Sequence, residues 1–233
     1  MNNTFEIILF SDFAGFPIII GGLISCLLQK KDFRGKRGLN HFVTAFGGGA
    51  LLSAIAFVLV PKAVADLSLI RMIVVFLAGS LFFMALDIIS SRIGGSIAQV
   101  LAMMMDFIPE ALALGASFAA DRSLGMLIAM FIGMQNLPEG FNSYLELNSK
   151  LSRKKTLLLM LGLSFVGIIA ALTGEFFLTD KAAVDSIMLF AGGGILYLIF
   201  QDIAPAAKLE NNWLTATGAC LGFMLGMVGE KLI

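Results

Sequence analysis

A chain of 233 residues that is 58% hydrophobic and only 14% charged lacks the polar surface of a water-soluble domain, where about a quarter of residues are charged. Its 16 basic residues balance its 16 acidic ones, so there is no net positive field to hold a nucleic acid, and no such partner is expected. The apolar residues come in runs near the roughly 20 needed to cross a bilayer as a helix. They do not alternate as barrel strands would, so the predicted fold class is all-α and polytopic, because in lipid the backbone must satisfy itself.

Eight transmembrane helices are predicted, at 7–29, 42–61, 68–90, 97–120, 123–145, 156–178, 184–204 and 213–230, forming one domain over 1–233. MNNTFE, at the start, has no basic stretch, so no signal peptide is expected. Helix 1 contains Cys26 and helix 8 contains Cys220, both read as buried small hydrophobes. His41, before helix 2, is the only histidine, which excludes a His-based cluster. Helix 2 carries Gly47-Gly48-Gly49-Ala50-Leu51 and is expected to end at Pro61. Helix 7 carries Gly192-Gly193-Gly194-Ile195-Leu196 and is expected to end at Pro205. Helices 2 and 7 run in opposite directions, which predicts an inverted-repeat organisation of the kind that brackets transporter sites. The same glycines also permit close helix packing.

Basic residues set the orientation. Lys30, Lys31, Arg34, Lys36 and Arg37 follow helix 1, and Lys150, Arg153, Lys154 and Lys155 follow helix 5. With Arg92 and Lys208, one side holds 11 of the 16 basic residues. That side is expected to be cytoplasmic, which puts both termini outside. The expected location is a prokaryotic plasma membrane, with lipid around the chain, and a homodimer is a possible assembly.

Helices 4 and 5 carry the chemistry. Helix 4 contains Asp106-Phe107-Ile108-Pro109-Glu110, and helix 5 contains Gln135-Asn136-Leu137-Pro138-Glu139. Each element lies about ten residues from its helix start, which is near mid-membrane at a rise of about 1.5 Å per residue. A charged side chain there costs roughly 2.5–3.5 kcal/mol on insertion scales. Asp106, Glu110 and Glu139 therefore require a cation, protons or a wet cavity, and no Lys or Arg is expected at that depth. Asp106 and Glu110 are i and i+4, as are Gln135 and Glu139, so each pair shares a helix face. Pro109 and Pro138 cannot donate to the carbonyls of Met105 and Met134, which leaves two more oxygens available. Gln135, Glu139, Asn142 and Glu146 form one polar stripe toward the basic loop, read as the inner half of a pathway. Met103, Met104, Met105 and Met134 surround the site, for packing or for thioether contact with a soft ion.

At these residues the chain resembles the ZIP (Zrt/Irt-like) family of metal permeases, whose pattern in helices 4 and 5 is close to HNxPEG. Gln135-Asn136-Leu137-Pro138-Glu139-Gly140 differs from it only at the first residue. Asp106-Phe107-Ile108-Pro109-Glu110-Ala111 departs further. Gly-rich helix 2 and Gln201-Asp202-Ile203-Ala204-Pro205 are also similar to the family. The resemblance implies eight helices and a binuclear metal centre in the transport path. It implies metal ligands at Asp106, Glu110, Gln135 and Glu139, with Asn136 in the place of the helix 5 asparagine. Phe107 stands where the helix 4 asparagine would be, and no glutamate stands near Ala170 in helix 6, so the second metal position has lost ligands.

The function expected is transmembrane transport of a divalent metal ion of the zinc, manganese or iron class, with no cofactor beyond the ion carried. An all-oxygen site suits harder cations, which favours manganese or iron, although oxygens also hold zinc. The alternative is a ZIP-like sensor or partner subunit that does not transport. An intramembrane enzyme would need a serine with a base or two converging aspartates, and neither pattern is present.

Overall fold

The computed structural model describes residues 3–30, 34–178 and 180–232, and all their side chains except those of residues 3, 106, 119 and 120. Lys31 and the side chain of Asp106 therefore lie outside the described residues. Among those described there are eight long helical segments and no strand. They are α1 (Asn3–Gln29), α2 (Lys36–Asp66), α3 (Leu69–Ile93), α4 (Gly95–Ala120), α5 (Arg122–Asn148), α6 (Arg153–Phe177), α7 (Lys181–Ala207) and α8 (Leu214–Leu232).

Connections are short and locally specified. Asp121 alone joins α4 to α5, and its carboxylate accepts from the backbone N–H groups of Ser123 and Leu124 at 2.9 and 3.3 Å. This is an N-cap, which satisfies donors the first helical turn leaves orphaned. Asp180 caps α7 in the same way, through the N–H of Ala183 at 3.1 Å.

Six of the eight segments, α1, α2, α3, α4, α6 and α7, are long and apolar enough to cross a membrane. α5 is not among them, since Gln135, Asn136, Glu139, Asn142 and Glu146 all lie in it. α8 carries Glu230 and Lys231 near its end. Six such helices in one chain make this a multi-pass membrane protein by length and composition.

Two predicted helix ends are corrected. Helix 2 does not stop at Pro61, nor helix 7 at Pro205. Each widens into one π-helical turn, at Ile55–Leu59 and Ile199–Ile203, and then resumes as α-helix with the proline in its first turn. A proline in a first turn has no N–H bond to lose, and the wider π turn accommodates its missing donor. By contrast, α4 runs through Pro109 and α5 through Pro138 as continuous α-helix.

Helix α5 is central, packed against α1, α2 and α4, while α4 also packs on α6 and α7. Outside these, α8 lies along α2 and α3 lies along α7. Most of α3 faces outward, as expected for a helix bordered by lipid. Cys26 is buried as expected, but Cys220 is exposed, because α8 turns its glycine face inward and Cys220 falls on the other side.

The α2–α8 seam shows why glycine is used. A Cβ at Gly222 would overlap the carbonyl of Phe46, and one at Gly49 would overlap the backbone of Ala219. Backbone thus touches backbone, the contact that small residues make possible between membrane helices. Gly222→Val is expected to destabilise the chain by about 1–3 kcal/mol, the usual cost of overpacking. A lowered Tm of the purified protein in detergent checks this.

Candidate metal centre

The polar stripe of α5 runs from buried to exposed. Gln135 is 1% exposed, Glu139 and Asn142 are half-buried, and Glu146 is exposed. All four line one cavity of about 520 Å³. It opens at the end of the bundle where α5 finishes and the basic loops lie. Thr44 and Gly47 of α2 form part of its wall, as do Asp87 of α3, Gln99 and Met103 of α4, and Gln201 and Asp202 of α7. Thr44 donates to Asn142 Oδ1 at 3.0 Å, which ties α2 to α5. Tyr197 donates to Asp87 Oδ2 at 3.0 Å, which ties α7 to α3. Carboxylates from α3, α5 and α7 thus face one water-accessible space, where charge is far less costly than in hydrocarbon.

At the closed end of this cavity, the Gln135 amide Nε2 donates to Glu110 Oε2. An amide nitrogen only donates, so this contact turns Nε2 toward the Glu110 carboxyl. The Gln135 carbonyl Oε1 then faces elsewhere, buried and without a hydrogen-bond donor among the described residues. Glu110 is 2% exposed. Beyond this pair, toward the other end of the bundle, Val58, Leu59, Ile128, Phe131 and Ile132 close around a void of only about 10 Å³. The cavity is therefore open from the basic end up to Gln135 and Glu139, and apolar side chains plug the bundle past Glu110.

That plugged end is also fastened by ion pairs. Arg122 of α5 bonds Glu6 of α1 at 2.6 Å, Lys181 of α7 meets Asp66 of α2 at 2.8 Å, and Lys62 of α2 reaches Asp121 at 3.8 Å.

Of the residues singled out from the sequence, Gln135, Glu139, Asn142 and Glu146 share the cavity, and Glu110 joins them through Gln135. Asn136 is placed elsewhere. Its Nδ2 donates to the Ala14 carbonyl of α1 at 2.8 Å, inside the α1–α5 interface. One residue along a helix is a turn of about 100°, which carries Asn136 off the face shared by Gln135 and Glu139. Among the described residues no three His, Cys, Asp or Glu side chains converge as a metal cluster. Of the four methionines, only Met103 lines the cavity. Phe107 is buried, with its ring seated where a Cβ on Gly15 of α1 or Gly167 of α6 would have to go. Ala170 of α6 is buried, and Glu175 accepts from Thr4 at 3.2 Å, away from the cavity lining.

Sequence reasoning missed Asp87, Gln99 and Asp202. The signal was available, since Asp87 and Asp202 are acids inside apolar runs, the same feature that drew attention to Glu110. Asp202 stood in the Gln201–Pro205 segment noted for its family resemblance, but only the paired Pro-Glu helices were joined to that centre.

No family model matches the chain. It is similar to Zinc transporter GufA of Myxococcus xanthus, 38% identical over 133 residues that cover 55% of this chain and 52% of that protein. It is also similar to Zinc transporter SLC39A7 of Homo sapiens and of Pongo abelii, 30% identical over 135 residues that cover 53% of this chain and 28% of those proteins. The chain thus spans about half the length of the first relative and less of the others. This multi-pass chain, with its paired Pro-Glu helices, is similar over about half its length to proteins named as zinc transporters.

Proposed function

We propose that the chain transports divalent metal ions across a membrane, with the ion held between α4 and α5. Glu110, Glu139 and the Gln135 Oε1 carbonyl supply ligands, and Asp106, one helical turn before Glu110, supplies a fourth. Supporting this most directly is the carboxylate-lined cavity that leads from the basic end to Glu139 and the Glu110–Gln135 pair. A dication bound there offsets the charge of two buried or half-buried carboxylates, which is what lets them sit so deep.

On this reading all eight helices span the membrane, α2 and α7 are related as inverted repeats, and the basic end is cytoplasmic with both termini outside. The matching π turns between the glycine triplet and the proline in α2 and α7 support the repeat. The ion reaches the site from the face now plugged and leaves along Asn142 and Glu146. For that, α4 and α5 shift relative to their neighbours, so that Val58, Leu59 and Phe131 part. The chain is a carrier of ions, not an enzyme. Oxygen donors without imidazole or thiolate favour manganese or iron over zinc, whereas zinc is what the names of the relatives state for those proteins.

The test is flux into proteoliposomes with Zn²⁺, Mn²⁺, Fe²⁺ and Cd²⁺ compared in parallel. Uptake that saturates, with Mn²⁺ or Fe²⁺ ahead of Zn²⁺, is expected. Metal binding without any flux would point instead to a ZIP-like sensor or partner subunit.

A further inference from the structure

The cavity has one positively charged residue among its described lining, Lys150. The other basic residues of that end, including Arg92, Arg153, Lys154 and Lys155, are not part of the wall. Lys150 does not sway freely over the opening. Its Nζ donates to the carbonyl of Gly95, the first residue of α4, at 3.1 Å. Gly94 and Gly95 both take positive φ, +63° and +68°, a backbone shape glycine adopts without strain. That shape fixes where the acceptor carbonyl lies. On its own side Lys150 stands just past the end of α5 at Asn148, four residues beyond Glu146. Both residues are exposed, as the rim of an opening should be. An ammonium is thus fastened at the mouth of a space whose other charged residues, Asp87, Glu139, Glu146 and Asp202, are all acidic.

We propose that Lys150 is an electrostatic rim that weakens binding of divalent cations arriving from the cavity side, so that an ion once released is not recaptured. The inference rests on the cavity being the ion pathway. The physics is simple. The four carboxylates attract a dication from either direction, but only an ion at the mouth passes within a few ångströms of the ammonium. A dication feels that repulsion twice over, and at the rim it is only partly screened by salt. Lys150 is a specificity-determining residue for direction, and it touches neither Glu110 nor Gln135.

The experiment measures uptake of Mn²⁺ and Zn²⁺ by the full chain in right-side-out and inside-out membrane vesicles, so that each face is addressed in turn. Lys150→Met is expected to lower KM about threefold to tenfold for metal presented on the cavity side at low ionic strength. KM on the opposite face should change by less than about twofold, since the apolar plug separates it from the rim. The difference should shrink as salt rises from about 10 to 300 mM, following the Debye length. Lys150→Arg should behave as wild type and Lys150→Glu should go further than Met. An unchanged cavity-side KM, an equal shift on both faces, or a shift insensitive to salt overturns the inference while leaving transport standing. Absence of flux in wild type overturns the transport reading and this inference with it, whereas flux that survives Glu139→Gln removes Glu139 and its cavity from the ion pathway and overturns this inference alone.

Discussion

Glu139→Gln should abolish metal flux while leaving the fold intact. Glu139 is half-buried at the inner end of the cavity, where the polar stripe meets Gln135. The substitution keeps the shape, exchanges one acceptor oxygen for a donor NH2 group and removes one negative charge. Residues that only orient metal ligands cost about 10- to 100-fold in affinity when changed, so loss of a ligand charge should cost at least about 100-fold. Proteoliposome uptake is the measurement. Tm in detergent, expected to stay within about 2 °C for an effect of a few tenths of a kcal/mol, is the control. Flux within threefold of wild type would remove Glu139 from the centre.

The second large effect concerns the Glu110–Gln135 hydrogen bond, and it separates stability from function. Gln135→Leu removes the amide that donates to a carboxylate that is 2% exposed, and taking one partner away from a buried charged group costs about 3 kcal/mol. A drop in Tm together with loss of flux is therefore expected. In the double variant Glu110→Leu with Gln135→Leu, both polar partners are gone, and such paired replacement is often close to neutral for stability. Tm should recover in part or overshoot, and flux should not return. That pattern would say that the polar pair is kept for the ion and not for the fold. If instead the double variant is less stable than Gln135→Leu alone, the pair is a structural brace and the ion must bind elsewhere.

Much of this was legible in the sequence, for reasons that are local. Runs of apolar residues fix helices in lipid wherever they occur, and the observed segments match the expected ones to within a few residues at most ends. Helical periodicity, likewise, needs no neighbours. It put Gln135, Glu139, Asn142 and Glu146 on one face, and the cavity has all four on its wall. The two misplaced helix ends had a physical cause. Pro61 and Pro205 were read as stops, but a single π turn before each lets the helix continue, and no residue pattern announces such a turn.

What the sequence determined by itself was the kind of molecule: helices apolar and long enough to cross lipid, basic residues gathered in particular loops, and carboxylates set within otherwise apolar helices. Tertiary packing alone decided which surfaces meet. It brought Asp87 and Asp202 from α3 and α7 to the wall of the α5 stripe, turned Asn136 onto the backbone of α1, and closed the bundle beyond Gln135 with Val58, Leu59, Ile128, Phe131 and Ile132. The reason is that side-chain direction within a helix follows from a fixed rotation per residue. The facing of one helix toward another depends on where glycines such as Gly49 and Gly222 allow backbones to touch, and that is settled only when every helix is in place.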